Sequence, residues 1–345
     1  MINPVKISFV FMAATMVMVG VLDMATPLLA VFFSYFALTK LQLRQKKWVG
    51  IVLFLLLAAG ILCALIYFLN RSRVALPDVT GKLIPMIDDF ARGFGIELGV
   101  RTWDDVKEML AESPRELPNL GSLWHYFLFS GKQLVLIIIG AVVAISVFVN
   151  QQVDLGRAQH VVKNNLYSMA TDQIVLRCKT FYHSFTTVMG AQVVISSINT
   201  SLTGIFIFTS SLIFTHGLPY PKSLVILTFF CGMFPIIGNL ISNTLITGVA
   251  LTVSPTLAFS ALAFLIILHK LEYFLNSKII GHRINNPMWL TLMALVLGER
   301  LMGIPGMILA PVVFHYVKME AAQIEALAPK IAVDAAPKTA ALAKD

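Results

Sequence analysis

Charge is what this chain has least of. Asp, Glu, Lys and Arg make up only 13% of its 345 residues, against roughly 25% in ordinary soluble domains, so a conventional solvated surface is excluded. Cysteine is almost as scarce. Cys63, Cys178 and Cys231 stand far apart, with neither the pairing of a disulfide framework nor metal-ligand spacing, and read as buried free thiols. No phosphate-cradling glycine loop and no nucleophile constellation occurs. Nothing in the residues therefore points to an enzyme, a cofactor or a bound metal. The net charge of +8 is scattered and partly gathered in one short loop, a pattern of membrane orientation and not of a nucleic-acid partner.

What the chain does contain is apolar length. Hydrophobic residues reach 57%, mean hydropathy is +0.81, and several runs approach or exceed the roughly 18 residues that cross hydrocarbon. The fold class is all-α, a polytopic integral membrane protein whose solvent is the lipid bilayer, with about eight apolar helical segments, some broken or re-entrant. Val5–Leu22 is too long for a signal-peptide core and lacks a small-x-small cleavage site before Asp23, so it reads as a retained span. Met24–Thr39 follows at once, with Pro27 near its start, where a missing amide is harmless. Lys40, Arg44, Lys46 and Lys47 then crowd a loop without one acid. The positive-inside rule places that loop and the N-terminus in the cytoplasm. Val49–Leu69 completes the N-terminal transmembrane helices, residues 1–69.

Residues 70–125 change character, with seven basic residues against nine acidic ones. Leu83, Ile87, Phe90 and Phe94 fall on one helical face. Thr102 and Asp105 resemble a capping box that opens a second helix, stopped at Ser113-Pro114. The segment reads as amphipathic and extramembrane, lying on the membrane or against a partner. Residues 126–150 hold the fourth span, 151–189 form cytoplasmic amphipathic helices, 190–318 the transport core, and 319–345 a C-terminal tail.

Within that core the span from Gly190 to Phe214 is unusually polar. Its serines and threonines can line a path, but they can equally let helices approach closely or bond their own backbone. Asn199 and Gln192 carry larger amides that need partners. Two later runs are broken, at Phe234-Pro235-Ile236-Ile237-Gly238 and at Gly303-Ile304-Pro305-Gly306. Proline removes a helical hydrogen bond and glycine permits a non-helical angle. The freed backbone groups must then be covered by protein or water, as in transporters with discontinuous helices. Asn239, Ser242 and Asn243 follow the first break at helical spacing. Glu272 is an acid in an apolar run, and such an acid faces protein or water and can take and release a proton. His269 lies three residues earlier on the same face; with Lys270, both can instead mark a helix end. Glu299 with Arg300 reads as a structural ion pair.

Gly217-Leu218-Pro219, the break at Pro235 and Gly238, Glu272 nine residues before Gly281, and Gly303-Ile304-Pro305-Gly306-Met307-Ile308-Leu309-Ala310-Pro311 together resemble the autoinducer-2 exporter family of permeases. The resemblance covers roughly Gly190 to Lys318. It implies an inner-membrane exporter of small solutes and a homo-oligomer, a pentamer. His269 stands where many relatives have glutamine, and Asn239 where proline is common. The expected pathway residues are Asn199, Pro235, Gly238, Asn239, Asn243, His269, Glu272, Gly281, Gly303 and Gly306. The leading reading is a transporter that exports a small polar or amphiphilic solute with possible ion coupling. A sodium/proton-type antiporter using the same residues, and a non-transporting scaffold acting through residues 70–125, are the alternatives.

Two topologies fit these runs. If every run crosses, Lys278 and Arg283 fall outside, against the charge rule. If residues 223–251 and 288–317 are each re-entrant pairs, both residues and the C-terminus lie inside. In a cysteine-free background, Arg283→Cys should then resist an impermeant maleimide added from outside; ready labelling would establish the first topology.

Overall fold

A computed structural model describes residues 4–42, 46–93, 105, 123–150, 165–214, 217–234, 237–279 and 288–322, with residues 90, 93, 123–130, 273–279, 288, 290 and 291 described by their backbone alone. Among the described residues there are nine α-helices and no strand. They are α1 (Pro4–Val21), α2 (Ala25–Leu41), α3 (Lys47–Gly93), α4 (Leu123–Val149), α5 (Leu166–Ile213), α6 (Pro221–Gly232), α7 (Ile237–Leu251), α8 (Pro255–Ile279) and α9 (Met288–Ala321). Six are long and apolar enough to cross a membrane, while α2, α6 and α7 are shorter apolar helices. This is the all-α polytopic architecture that composition predicts.

Three apolar clusters organise the helices. Leu38, Phe54, Ala144 and Phe148 join α2, α3 and α4. There Gly140 lies so close to Ala30 and the Pro27 carbonyl that a Cβ would collide with both, the close helix approach that small residues permit in lipid. Outward, α3 and α4 expose Leu55, Leu56, Ile138 and Val142, a surface suited to hydrocarbon. A second cluster packs α1, α2, α5 and α9 through Met12, Leu29, Phe181, Phe185, Met189, Leu309 and Val312. Phe32 and Phe33 of α2 lie 5.2 Å and 4.9 Å from the Phe185 ring, centroid to centroid. The third cluster, with Ile207, Leu224, Ile246, Leu257 and Leu265, gathers α5, α6, α7 and α8.

Helix continuity differs from the sequence reading in two places. α3 has 47 residues, about 70 Å at the helical rise, and so continues far beyond a single span. Its extension does not stand apart: Val79 packs on the third cluster, and Leu83 comes within 3.7 Å of a Cβ at Gly248. Tyr220, with φ 55° in the left-handed region, donates its hydroxyl to Asp78 at 3.0 Å beneath the Arg71 guanidinium, 5.0 Å from its ring. These contacts hold a conformation that costs a bulky residue about 1–3 kcal/mol. The segment expected to lie on the membrane or a partner thus begins by docking on its own chain; the second expected helix, apart from Asp105, lies outside the described residues. α5 has 48 residues and runs through the boundary expected at 189/190.

Arg177, within the segment read as cytoplasmic amphipathic helices, is buried and bonded to buried Glu320 of α9. Its guanidinium also lies 4.3 Å from the Phe9 ring, so one cation ties α1, α5 and α9. The cysteines differ as well: Cys63 and Cys178 are exposed and Cys231 is half-buried, all three unpaired. An apolar run in a membrane protein faces lipid as readily as core, which is why burial did not follow from hydrophobicity.

Removing one partner of a buried pair leaves the other charge uncompensated, typically at about 3–5 kcal/mol. Arg177→Met should therefore lower the thermal midpoint of the nanodisc-embedded protein markedly, and Arg177→Met with Glu320→Met should recover most of the loss. A double variant no more stable than the single one would assign the loss to the Phe9 contact instead.

Candidate functional site

The first break turns the chain back on itself. Gly238 follows Cys231 by seven positions, yet a Cβ on Gly238 would run into the Cys231 carbonyl, so only glycine fits. Pro235 lies outside the described residues. Helices α6 and α7 have 12 and 15 residues, about 18 Å and 22 Å long, and each falls short of the ~30 Å hydrocarbon core. The carbonyls released where α6 ends are met from α5: Gln192 donates to the Gly232 carbonyl at 2.6 Å and Ser196 to that of Phe229 at 2.8 Å. A Cβ on Gly232 would sit 2.5 Å from the Ser196 hydroxyl, so this glycine admits the donor.

The second break is also a fold-back. Gly303 has φ 62° and ψ −149° inside α9, an angle pair that disfavours any side chain. Gly298 and Gly306 lie backbone to backbone, each leaving no room for a Cβ against the other's carbonyl. In a straight helix they would be about 12 Å apart. Met233 and Met302, beside the two breaks, pack on the same cluster around α5. Gly281 lies outside the described residues.

Between α5, α7 and α8 runs a string of polar side chains. Asn199 donates to the Asn239 side-chain carbonyl at 3.2 Å, and Asn239 donates to the Glu272 carboxylate at 2.5 Å. His269 Nδ1 stands 4.0 Å from the same carboxylate oxygen. Asn199 and Asn239 are buried, the Glu272 side chain is 13% exposed and that of His269 48%. One end of the string is closed and the other is open. Glu272 does not end its helix, since α8 continues to Ile279; the neighbouring Lys270 is exposed. A crevice too thin for a water molecule lies beside Asn199 and Glu272 against Ile195, Ile198, Leu202 and Leu268.

Four of the expected residues, Asn199, Asn239, His269 and Glu272, thus meet at one place. Gly238 sits one position before Asn239, and Asn243 half-buried one turn beyond it. Gly303 and Gly306 belong to the other fold-back. Ser242, buried, donates to the Asn239 backbone carbonyl at 3.2 Å. Ser197, Ser201, Thr209, Ser210 and Ser211 all bond carbonyls of their own helix, so the polar look of the span from Gly190 overstates its reach; within it Gln192, Ser196 and Asn199 bond across to other helices. Ser196 was hidden among equivalent hydroxyls, with no local signal to separate it. Glu299 and Arg300, expected to pair, are both exposed and form no ion pair among the described residues.

Gly238→Ala and Gly306→Ala drive a Cβ into backbone. Each should cost more than the about 1–3 kcal/mol of ordinary overpacking, read as a fall in thermal midpoint or folded yield. Gly60→Ala, where a Cβ meets nothing within 4 Å, should stay within about 1 kcal/mol of wild type. Equal behaviour of all three would refute the fold-backs.

Comparison with known proteins extends the resemblance well beyond the breaks. No curated protein and no solved structure matches the chain significantly. A family model described as AI-2E family transporter matches residues 7–324, from the first span to the end of α9 and through the N-terminal half. With spans, fold-backs and a polar string all inside that match, the chain belongs to the AI-2E transporter family and is a multi-pass membrane transporter.

Proposed function

We propose that the chain exports a small polar or amphiphilic solute and that Glu272 couples export to protons. The observation carrying this reading is the Asn199–Asn239–Glu272 string, because it ties a titratable group to one arm of a broken helix pair. An ionised Glu272 holds the Asn239 amide and through it α7. A proton on that oxygen turns the acceptor into a donor, and α7 is released from α8 while the Asn199–Asn239 bond still ties it to α5. The crevice can then widen, and the freed Asn239 amide faces a solute. His269, nearer the open end, serves as the second proton station.

In this reading α6–α7 and the two arms of α9 are re-entrant pairs. Both termini are then cytoplasmic, and the membrane is the inner membrane, as the family resemblance implies. A homo-oligomer, a pentamer on the same ground, provides the fixed frame against which α7 moves.

A cation/proton antiporter has one observation in its favour. The closed crevice is too thin for water, so in this state it accommodates a proton but no organic solute. Proton flux in sealed proteoliposomes separates the readings, with imposed sodium, potassium or proton gradients and then with candidate solutes. Solute-dependent proton movement, lost in Glu272→Gln, is the expected result. Cation-driven movement without solute would establish the antiporter. Solute flux unchanged in Glu272→Gln would remove proton coupling from the mechanism.

A further inference from the structure

Away from the polar string, a cleft of about 660 Å³ opens between α2 and α5, beyond the contacts of Phe32 and Phe33 with Phe185. Clefts of this size hold small ligands. Its lining includes Lys40 but no Asp or Glu, and Lys40 makes no ion pair with any described residue. The ammonium lies 5.8 Å from the Phe36 ring, a weak partner compared with an anion.

The hydroxyls sharpen the electrostatic preference. Thr39 donates to the Phe36 carbonyl at 2.8 Å, and Thr186 and Thr187 both donate to that of His183 at 2.9 Å. Each threonine has thus spent its single proton on its own helix. Tyr182 is hydrogen-bonded to Thr39, so the donors left for an occupant are the Lys40 ammonium and the Tyr35 hydroxyl, with Phe36, Ala191 and Val194 as apolar wall. One full positive charge, no acid and an apolar wall describe a receptor for an amphiphilic anion.

The position of Lys40 in the bilayer selects among such anions. Lys40 is in the last turn of α2. Gly50, near the start of α3, approaches the Leu38 carbonyl, and Lys47 donates to the carbonyl of Val149, the last residue of α4, at 2.8 Å. Three helix ends therefore share one level, with lysines at it, which is the headgroup level of a membrane helix end. Basic clefts between transmembrane helices at that level suit anionic headgroups.

We propose that this cleft is a binding site for an anionic phospholipid, its phosphate at Lys40 and an acyl chain along Phe36, Ala191 and Val194. The site is independent of transport through Glu272. Occupied, it fills the gap between α2, which packs on α3 and α4, and α5, which carries the polar string.

The test is native mass spectrometry of the delipidated full-length protein given equal phosphatidylglycerol and phosphatidylcholine. Wild type should retain phosphatidylglycerol about fivefold more, the equivalent of ~1 kcal/mol for one interfacial lysine. Lys40→Arg should keep that preference and Lys40→Gln should bring it near one. Val194→Trp, which fills the wall and leaves the charge, should lose both lipids. Equal retention in wild type, or an unchanged preference in Lys40→Gln, overturns the proposal. Loss of the preference to excess inorganic phosphate in wild type assigns the site to a free anion and overturns the lipid. Disulfide cross-linking of Val194→Cys between copies in nanodiscs, with no lipid retained, makes the cleft a subunit contact and overturns it too.

Discussion

A helix that breaks in hydrocarbon releases backbone carbonyls that no water can reach, and each unmet group costs several kcal/mol. This chain breaks apolar helices twice, so something must stand beside the breaks and donate. That task falls to α5, whose Gln192 and Ser196 bond the carbonyls at the end of α6 and whose Met189 lies in the cluster shared by Met233 and Met302. The great length of α5, its central packing and its polar residues at 192, 196 and 199 are different faces of one requirement. A fully apolar helix in its place would pack as well against lipid and leave the fold-back unsatisfied.

Close approach imposes the second requirement. The chain closes on its donor and on itself where residues lack side chains: Gly232 beneath Ser196, Gly238 against Cys231, and Gly298 against Gly306. Without a hydrophobic effect between helices in lipid, such contacts gain dispersion and hydrogen bonding at short range. Glycine is therefore used here for proximity more than for conformational freedom. Gly303 is the exception, with open space around its Cβ position and an angle that favours glycine.

What could be read from the sequence was whatever announces itself locally. The fold-backs were legible because proline and glycine act on their own backbone, and Glu272, His269, Asn199 and Asn239 because a polar group in an apolar run needs a partner. Which partner was another matter. Arg177 and Glu320 are separated by 143 positions, and Asp78 and Tyr220 by 142, and no local pattern joins either pair. The continuity of α5 was equally hidden, since a shift from charged to apolar composition looks like a boundary even when one helix passes through both environments. The serines and threonines of α5 could not be sorted, because bonding inward and bonding across leave the same composition.

The two polar systems on α5 differ in the kind of hold they exert. Near one end a full ion pair, Arg177 with Glu320, fixes α9, and breaking such a pair costs more than thermal motion supplies. About 33 Å further along, the link from Asn199 to α7 and α8 runs through two neutral amides and one carboxylate, so a single proton changes its terminal acceptor. A helix clamped at one end and reversibly tied at the other divides its neighbours. In the proposed cycle α1, α2 and α9 stay with the frame, while α6, α7 and α8 move. The contacts of the α3 extension at Tyr220 and Gly248 then lie on the moving group. That extension therefore has to follow the motion or limit it, which brings the C-terminal part of α3 into the same mechanism as the helices around the first break.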